Sequence, residues 1–404
     1  MSHFKEEAQA LFEDLVQWRR HLHRHPELGF EEEQTAALIA GELSDLEMEV
    51  QTGVGQTGVV GLLAGKKPGP TVLLRFDMDA LPVTEESDRP YRSQNKGKMH
   101  ACGHDGHVAM GLGVARLMAR RRDELEGNLK FVFQPAEEGL GGAFAMIADG
   151  VLENPRPDVA LAMHLWNHLD LGLIRATSGP CMASSSVFTL TVEGQGGHGA
   201  APHKATDPVL AAAHIVAALQ SIVSRNVDPL DSVVVTVGQF TAGSNFNVIP
   251  ERALLKGTVR SYDAETHRLI YRRILEMARN MGSAFGCQTS METVAIVPAV
   301  INDERVVEAV RAAAADVVPV HNVIDGRDMA SEDMGHILEE IPGCYFFVGS
   351  RNKEAGLHYP HHHPRFDFDE RAMINGVAVM ARAAASYVLP QAAKADAPQK
   401  PPSA

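Results

Sequence analysis

The chain of 404 residues is 45% hydrophobic and 22% charged, which is ordinary for a globular protein and long enough for two domains. Its net charge of −14 excludes a protein that tracks a nucleic-acid backbone, because the one basic run, Ala119-Arg-Arg-Arg-Asp123, reads as the polar end of a helix. Four scattered cysteines exclude a disulfide framework, and neither a signal-peptide pattern nor a run of about 18 apolar residues is evident, so a cytoplasmic, non-membrane protein with reduced thiols is expected.

In chain order, Leu11, Leu15 and Trp18, then Ala36, Leu38 and Ile39, recur at helical spacing, with Pro26 breaking the first helix. Strands are predicted over 59–64, 71–76, 129–133 and 159–164, with helices over 108–120 and 142–148 between them. That alternation predicts an α/β layer around a mostly parallel sheet, whose ligand sites gather at the carboxyl ends of the strands. Asp77, Glu137, Glu138 and His164 fall at or just past such predicted ends.

From about Ser184 the pattern changes to strand 187–193, helix 208–223, strands 232–240 and 253–261, helix 264–285 and strand 289–297. This β-α-β-β-α-β order is the ferredoxin-like arrangement. After Pro298 helix and strand alternate again, ending in a helix over 372–388. The simplest organisation is an α/β domain in two segments, 1–183 and 298–390, interrupted by a ferredoxin-like α+β insertion at 184–297. The Pro/Ala-rich tail 391–404 is predicted to be disordered.

Several motifs carry chemistry. Cys102-Gly-His104 places a thiol and an imidazole two residues apart across a glycine turn, a pattern that suits metal ligation or chance; its weight comes from Asp77, Asp79, Glu137, Glu138 and His164 at strand ends. Asp77 and Asp79 alternate along a strand, so one face would carry both carboxylates, either as a solvated strand end or as partners that orient a ligand histidine. His164 closes an apolar run, where core packing competes with ligation. The stretch His358-Tyr-Pro-His-His-His363 is a proline-bounded loop dense in histidine, and spacing does not choose the ligand among His358, His361, His362 and His363. Within the insertion, Gly196-Gly-His198 and Asn245-Phe-Asn247 mark either close backbone approach or exposed turns, and Arg260 is either a carboxylate clamp or a surface arginine.

Together these residues resemble the metal-dependent aminoacylase and carboxypeptidase superfamily, in its branch of hippurate hydrolases, N-acyl-amino-acid amidohydrolases and auxin-conjugate hydrolases. The likeness runs over residues ~5–390 through Arg20-His-Leu-His-Arg-His-Pro-Glu27, Asp77-Met-Asp-Ala-Leu-Pro82, His100-Ala-Cys-Gly-His-Asp105, Gln134-Pro-Ala-Glu-Glu-Gly139, Gly196-Gly-His-Gly-Ala200, Asn247-Val-Ile-Pro250, Ser331-Glu-Asp-Met334 and His362-His-Pro-Arg-Phe-Asp-Phe368. The resemblance implies a metallopeptidase-like catalytic domain with a dimerisation (lid) insertion, and two divalent ions per subunit, zinc, manganese, cobalt or nickel, held by Cys102, His104, Glu138, His164 and His362. In the wider superfamily the position of Asp77 is usually a ligand histidine; here Cys102 would be the bridging anion.

On the same resemblance Glu137 is the proton carrier that activates water and protonates the leaving amine, and Asp79 supports the metal site. His198 would polarise the substrate carbonyl from a neighbouring protomer with Asn247 beside it, and Arg260 would clamp the substrate carboxylate. The implied substrate is an N-acyl-amino acid, hippurate-like, with no nucleic acid or membrane partner and a homodimer through 184–297. A dipeptidase, an N-acetyl-diaminopimelate-type deacetylase, a non-catalytic metal- or ligand-binding relative and a Cys102 nucleophile paired with His104 are the competing readings.

Overall fold

The computed structural model describes residues 3–390, so the expectation for the 391–404 tail lies outside the described residues. The chain divides into two compact units. One comprises the chain through Gly179, Ile301–Gly326 and the segment from His336; the other comprises Pro180–Val300 and Arg327–Gly335.

The first unit is built on an eight-stranded sheet. Its four central strands, Glu126–Gln134, Lys67–Asp77, Val159–Asp170 and Gly343–Arg351, lie side by side in that order and run parallel. Glu49–Val54 and Gly58–Ala64 extend one edge in antiparallel register. The central strands are apolar on both faces because helices cover both. Residues Thr71 to Asp77 are buried without interruption, as are those from Val159 to Asn167. Helices His104–Ala119 and Ala372–Val388 pack there, burying Val108, Leu112, Val377 and Ala381 in the main core with Phe76, Phe133 and Phe346.

Polar contacts anchor the ends of these elements near one another. Arg19 is fully buried on helix Phe12–Arg24 and bonds Asp105 at 2.9 Å, Asp367 at 2.8 Å and Glu370 at 3.2 Å. Charge-assisted bonds of this kind fix orientation as well as contribute energy. They tie the first helices to the start of His104–Ala119 and to the loop ahead of the last helix. Burial opposes the charge of Arg19, but the facing carboxylates outweigh it and raise its pKa above the ordinary value.

The second unit carries a four-stranded antiparallel sheet of Val233–Ala242, Arg252–Ser261, Ser184–Glu193 and Gln288–Val297 in that order. Helices Pro208–Asn226 and Ala264–Ala284 pack on it through Ala211, Ile215, Leu219, Ile270 and Ile274. Strand order and connections are those of a ferredoxin-like layer.

Two expectations need correction. Strand Val159–Asp170 continues six residues past His164, so that histidine lies within a strand and not at its end. The segment Arg327–Gly335 joins the second unit, although sequence placed it in the 298–390 segment of the first. Its reason is local: Asp328 N–H donates to Cys181 O at 2.9 Å and Ala183 N–H to Ala330 O at 2.9 Å. Helix Pro208–Asn226, 19 residues, is long and apolar enough to cross a membrane by length and composition, although polar residues such as His214 and Gln220 interrupt its apolar run. Its apolar stripe is spent on the sheet of its own unit, which is the behaviour of a core helix.

Candidate metal centre

Gly103 takes a left-handed conformation with φ +92° immediately before helix His104–Ala119, a geometry that favours glycine. It turns the chain sharply between Cys102 and His104. Both side chains are buried, and Cys102, His104 and His164 bring ligand atoms within 4.8 Å of one another.

The ring tautomers follow from hydrogen bonds. His104 Nδ1–H faces the carbonyl oxygen of Asp79 at 3.0 Å and its Oδ1 at 3.1 Å, leaving Nε2 buried without a hydrogen-bond partner, 3.8 Å from Asp77 Oδ1. His164 Nδ1–H donates to the carbonyl of Leu165, so its Nε2 lone pair is free toward Cys102 Sγ at 3.5 Å. Ligand histidines are oriented in this way, by a carboxylate or carbonyl on the far nitrogen.

Strand Glu126–Gln134 ends just before Pro135, and the turn that follows carries Glu137 and Glu138, both half-buried. Ala136 enters this turn at φ +54°. The Glu138 N–H donates to Asp79 Oδ2 at 3.0 Å, so one carboxylate orients both His104 and the acidic pair. Glu138 and His362 face each other at 3.2 Å, with Cys102 in the same group, while His104, Glu137 and Glu138 form another.

The four histidines of the late loop differ in what they face. His362, at φ +66°, donates its backbone N–H to Ala101 O at 2.8 Å and alone of the four joins Cys102 and Glu138. His361 is turned to Leu165 O at 2.9 Å and stacks on Trp166 with centroids 4.7 Å apart. His358 and His363 both stack on Tyr359.

Charge supports a cation at this place. Burial raises the Cys102 thiol well above its ordinary pKa, and Glu138, Glu137 and Asp77 add to that rise. Burial opposes the His104 imidazolium, but Asp77, Asp79 and Glu138 outweigh it and raise its pKa to about 10. His164, desolvated and beside His107 and His361, stays well below its ordinary value and hence neutral. The carboxylates that favour positive charge on His104, with two imidazole Nε2 atoms and a thiol converging beside them, fit divalent cations with mixed nitrogen, sulfur and oxygen ligation.

Asp77 and Asp79 part company where the strand ends. Asp77, the last residue of Lys67–Asp77, bonds His107 Nδ1 through one oxygen and Arg75 at 2.7 Å through the other. Burial opposes its charge, yet His104, His107 and Arg75 hold its carboxyl well below the usual range. His107 accepts Leu165 N–H on Nε2 at 2.9 Å, so hydrogen bonds engage both its nitrogens, and with Asp77 and His104 it forms a further buried group whose ligand atoms lie within 4.8 Å of one another. In the sequence His107 closes the cluster that begins at His100 but has no evident role, although its i+3 spacing from His104 puts both on one helix face.

The remaining predicted residues belong to the second unit. His198 lies exposed on a two-residue strand paired with Val248, and Gly199 N–H donates to Asn247 O at 2.8 Å, so His198 and Asn247 share one ribbon. His198 Nδ1 accepts Ala200 N–H at 3.0 Å, which leaves its proton on Nε2. Arg260 pairs across strands with Val234 and Ser185 and is half-buried; its Nη1 is buried with no hydrogen-bond partner, and burial lowers its pKa.

Comparison with known proteins identifies the family. The profile of peptidase family M20/M25/M40 matches residues 73–386. The N-acetyl-L-cysteine deacetylase of Bacillus subtilis is 38% identical over 95% of this chain and 88% of its own. The IAA-amino acid hydrolase ILR1-like 4 of Arabidopsis thaliana is 37% identical over 94% and 86%. Among solved structures, the Bacillus subtilis YXEP protein, described as a dinuclear metal binding peptidase from the M20 family, superposes with a TM-score of 0.82 at 32% identity, covering 93% of this chain and 98% of that one. With the profile spanning most of the sequence and relatives above 30% identity along nearly its whole length, this chain belongs to peptidase family M20/M25/M40.

Proposed function

We propose that the protein hydrolyses the amide bond of N-acyl-amino acids, with a hippurate-like aromatic acyl group preferred, to give a carboxylic acid and a free amino acid. The observation that carries this reading is the pair of ligand groups, Cys102 with His104 and His164 and Cys102 with Glu138 and His362, which share one thiol beside Glu137. Two sets of donors with one thiol in common would suit two divalent ions, and zinc, manganese, cobalt or nickel fit these donors. Divalent ions held there supply Lewis acidity and lower the pKa of water.

The chain's own residues then divide the work. Glu137 stands one residue from a ligand and takes the proton of the attacking water, returning it to the leaving nitrogen. Asp79 holds His104 and the Glu138 backbone in place. His198 Nε2–H bonds the carbonyl oxygen with Asn247 alongside, delivered by the partner subunit of a homodimer formed through the 184–297 region. Arg260, whose partnerless buried Nη1 favours an anion, clamps the substrate carboxylate. That clamp answers the repulsion which a net charge of −14 imposes on an anionic substrate.

The relatives support the substrate class, being named for N-acetyl-L-cysteine and for an IAA-amino acid. The test is amino-acid release from acetyl, benzoyl and indoleacetyl conjugates, N-acetyl-diaminopimelate and plain dipeptides by the metal-loaded enzyme. Highest kcat/KM on the benzoyl conjugates is expected; turnover of dipeptides or of N-acetyl-diaminopimelate alone contradicts the assignment.

A further inference from the structure

Glu32 is fully buried at the residue before helix Glu33–Asp45, yet its side chain makes no capping bond to that helix. Capping falls to Glu27, whose carboxylate accepts Gln34 N–H at 3.1 Å and Thr35 N–H at 2.9 Å. Glu32 instead reaches 104 positions along the chain, where Oε1 accepts Ala136 N–H at 3.0 Å; Oε2 accepts the Thr57 hydroxyl at 2.6 Å. Burial makes this costly and pushes the Glu32 pKa up to about 7. A buried acid spent on a backbone amide elsewhere, and not on its own helix, calls for a reason in the place it reaches.

That place is the turn of Glu137. Ala136 is held at φ +54°, a region that residues with a Cβ seldom adopt and that persists where neighbours enforce it. The Gly29 backbone lies so close that a Cβ there would meet Ala136 Cα at 2.9 Å. Ala136 N–H is fixed by Glu32 and Glu138 N–H by Asp79, so the backbone of Glu137 hangs between two tethered amides.

We propose that Glu32 is a positioning residue that acts on Glu137 through the backbone of Ala136. The proposal rests on Glu137 being the proton carrier of the reaction. Glutamine at position 32 keeps an oxygen for Ala136 N–H and can donate to Thr57, whereas leucine removes the tether and aspartate withdraws it by one methylene.

The experiment measures kcat, KM and bound metal for Glu32→Gln, Glu32→Leu, Glu32→Asp and Thr57→Val in the full, metal-loaded chain, on an N-acyl-amino acid. Glu32→Leu is expected to lose about 100-fold in kcat with KM and metal content held, the scale of a misplaced catalytic group. Glu32→Gln and Thr57→Val, which keep the Ala136 bond, are expected to stay near wild type. If the leucine variant does not fold, Glu32→Asp carries the test by losing kcat where Glu32→Gln does not. Wild-type kcat in Glu32→Leu or Glu32→Asp, or equal loss in Glu32→Gln, overturns the proposal. Combination with Glu137→Ala separates the two assignments. No added loss on the residual rate of Glu137→Ala is expected; the full loss there overturns the role of Glu32, whereas wild-type turnover in Glu137→Ala alone overturns the base assignment.

Discussion

Glu137→Gln is expected to lower kcat about a thousandfold, within the range for a positioned general base, while metal content and substrate affinity stay at wild-type levels. The substitution keeps the shape of the side chain and removes its capacity to take a proton. Glu138, one residue on, faces His362 at 3.2 Å and shares a group with Cys102, so Glu138→Gln is the matched control and is expected to lose metal. The two variants should therefore separate cleanly: one loaded and inactive, the other depleted. Rates of amino-acid release, calorimetric substrate binding and elemental analysis of the purified proteins measure the three quantities. Equal metal loss in both variants would make Glu137 a ligand and leave the proton step without a carrier.

Cys102→Ser is expected to weaken metal binding by more than about 100-fold, beyond the loss usual for residues that merely support ligands. Serine is nearly isosteric, but its hydroxyl does not ionise as a thiol does, and Cys102 is the residue common to the His104/His164 and Glu138/His362 groups. Burial first, and then the surrounding carboxylates, hold its thiol protonated, and a cation would reverse that balance. A competing role for Cys102 as nucleophile makes the opposite forecast: normal metal content with no turnover. Elemental analysis of the variant distinguishes them.

Much of this site was legible in the sequence because its parts are local. Cys102-Gly-His104 needs one glycine turn, and the Glu137-Glu138 pair sits just after an apolar strand; both patterns survive in a string of letters. The family assignment rested on the same short motifs, and the profile match over residues 73–386 bears it out. What stayed hidden depends on distance. Nothing near Glu32 points to Ala136, and nothing around Asp77 says that it serves His107 while Asp79 serves His104. The histidine run offers four candidates in sequence, and only in three dimensions does His362 lie beside Glu138 while His361 turns toward Leu165. The placement of Arg327–Gly335 with the second unit likewise arises from backbone bonds to Cys181 and Ala183, which composition does not encode.

The most direct test of the account is turnover of an N-acyl-amino acid by the wild-type protein before and after its metal is removed with a chelator, and again after titration with a divalent ion. Activity should vanish on stripping and return in proportion to metal bound, reaching its plateau at two ions per subunit. Turnover that persists in the stripped protein contradicts the metal-dependent mechanism.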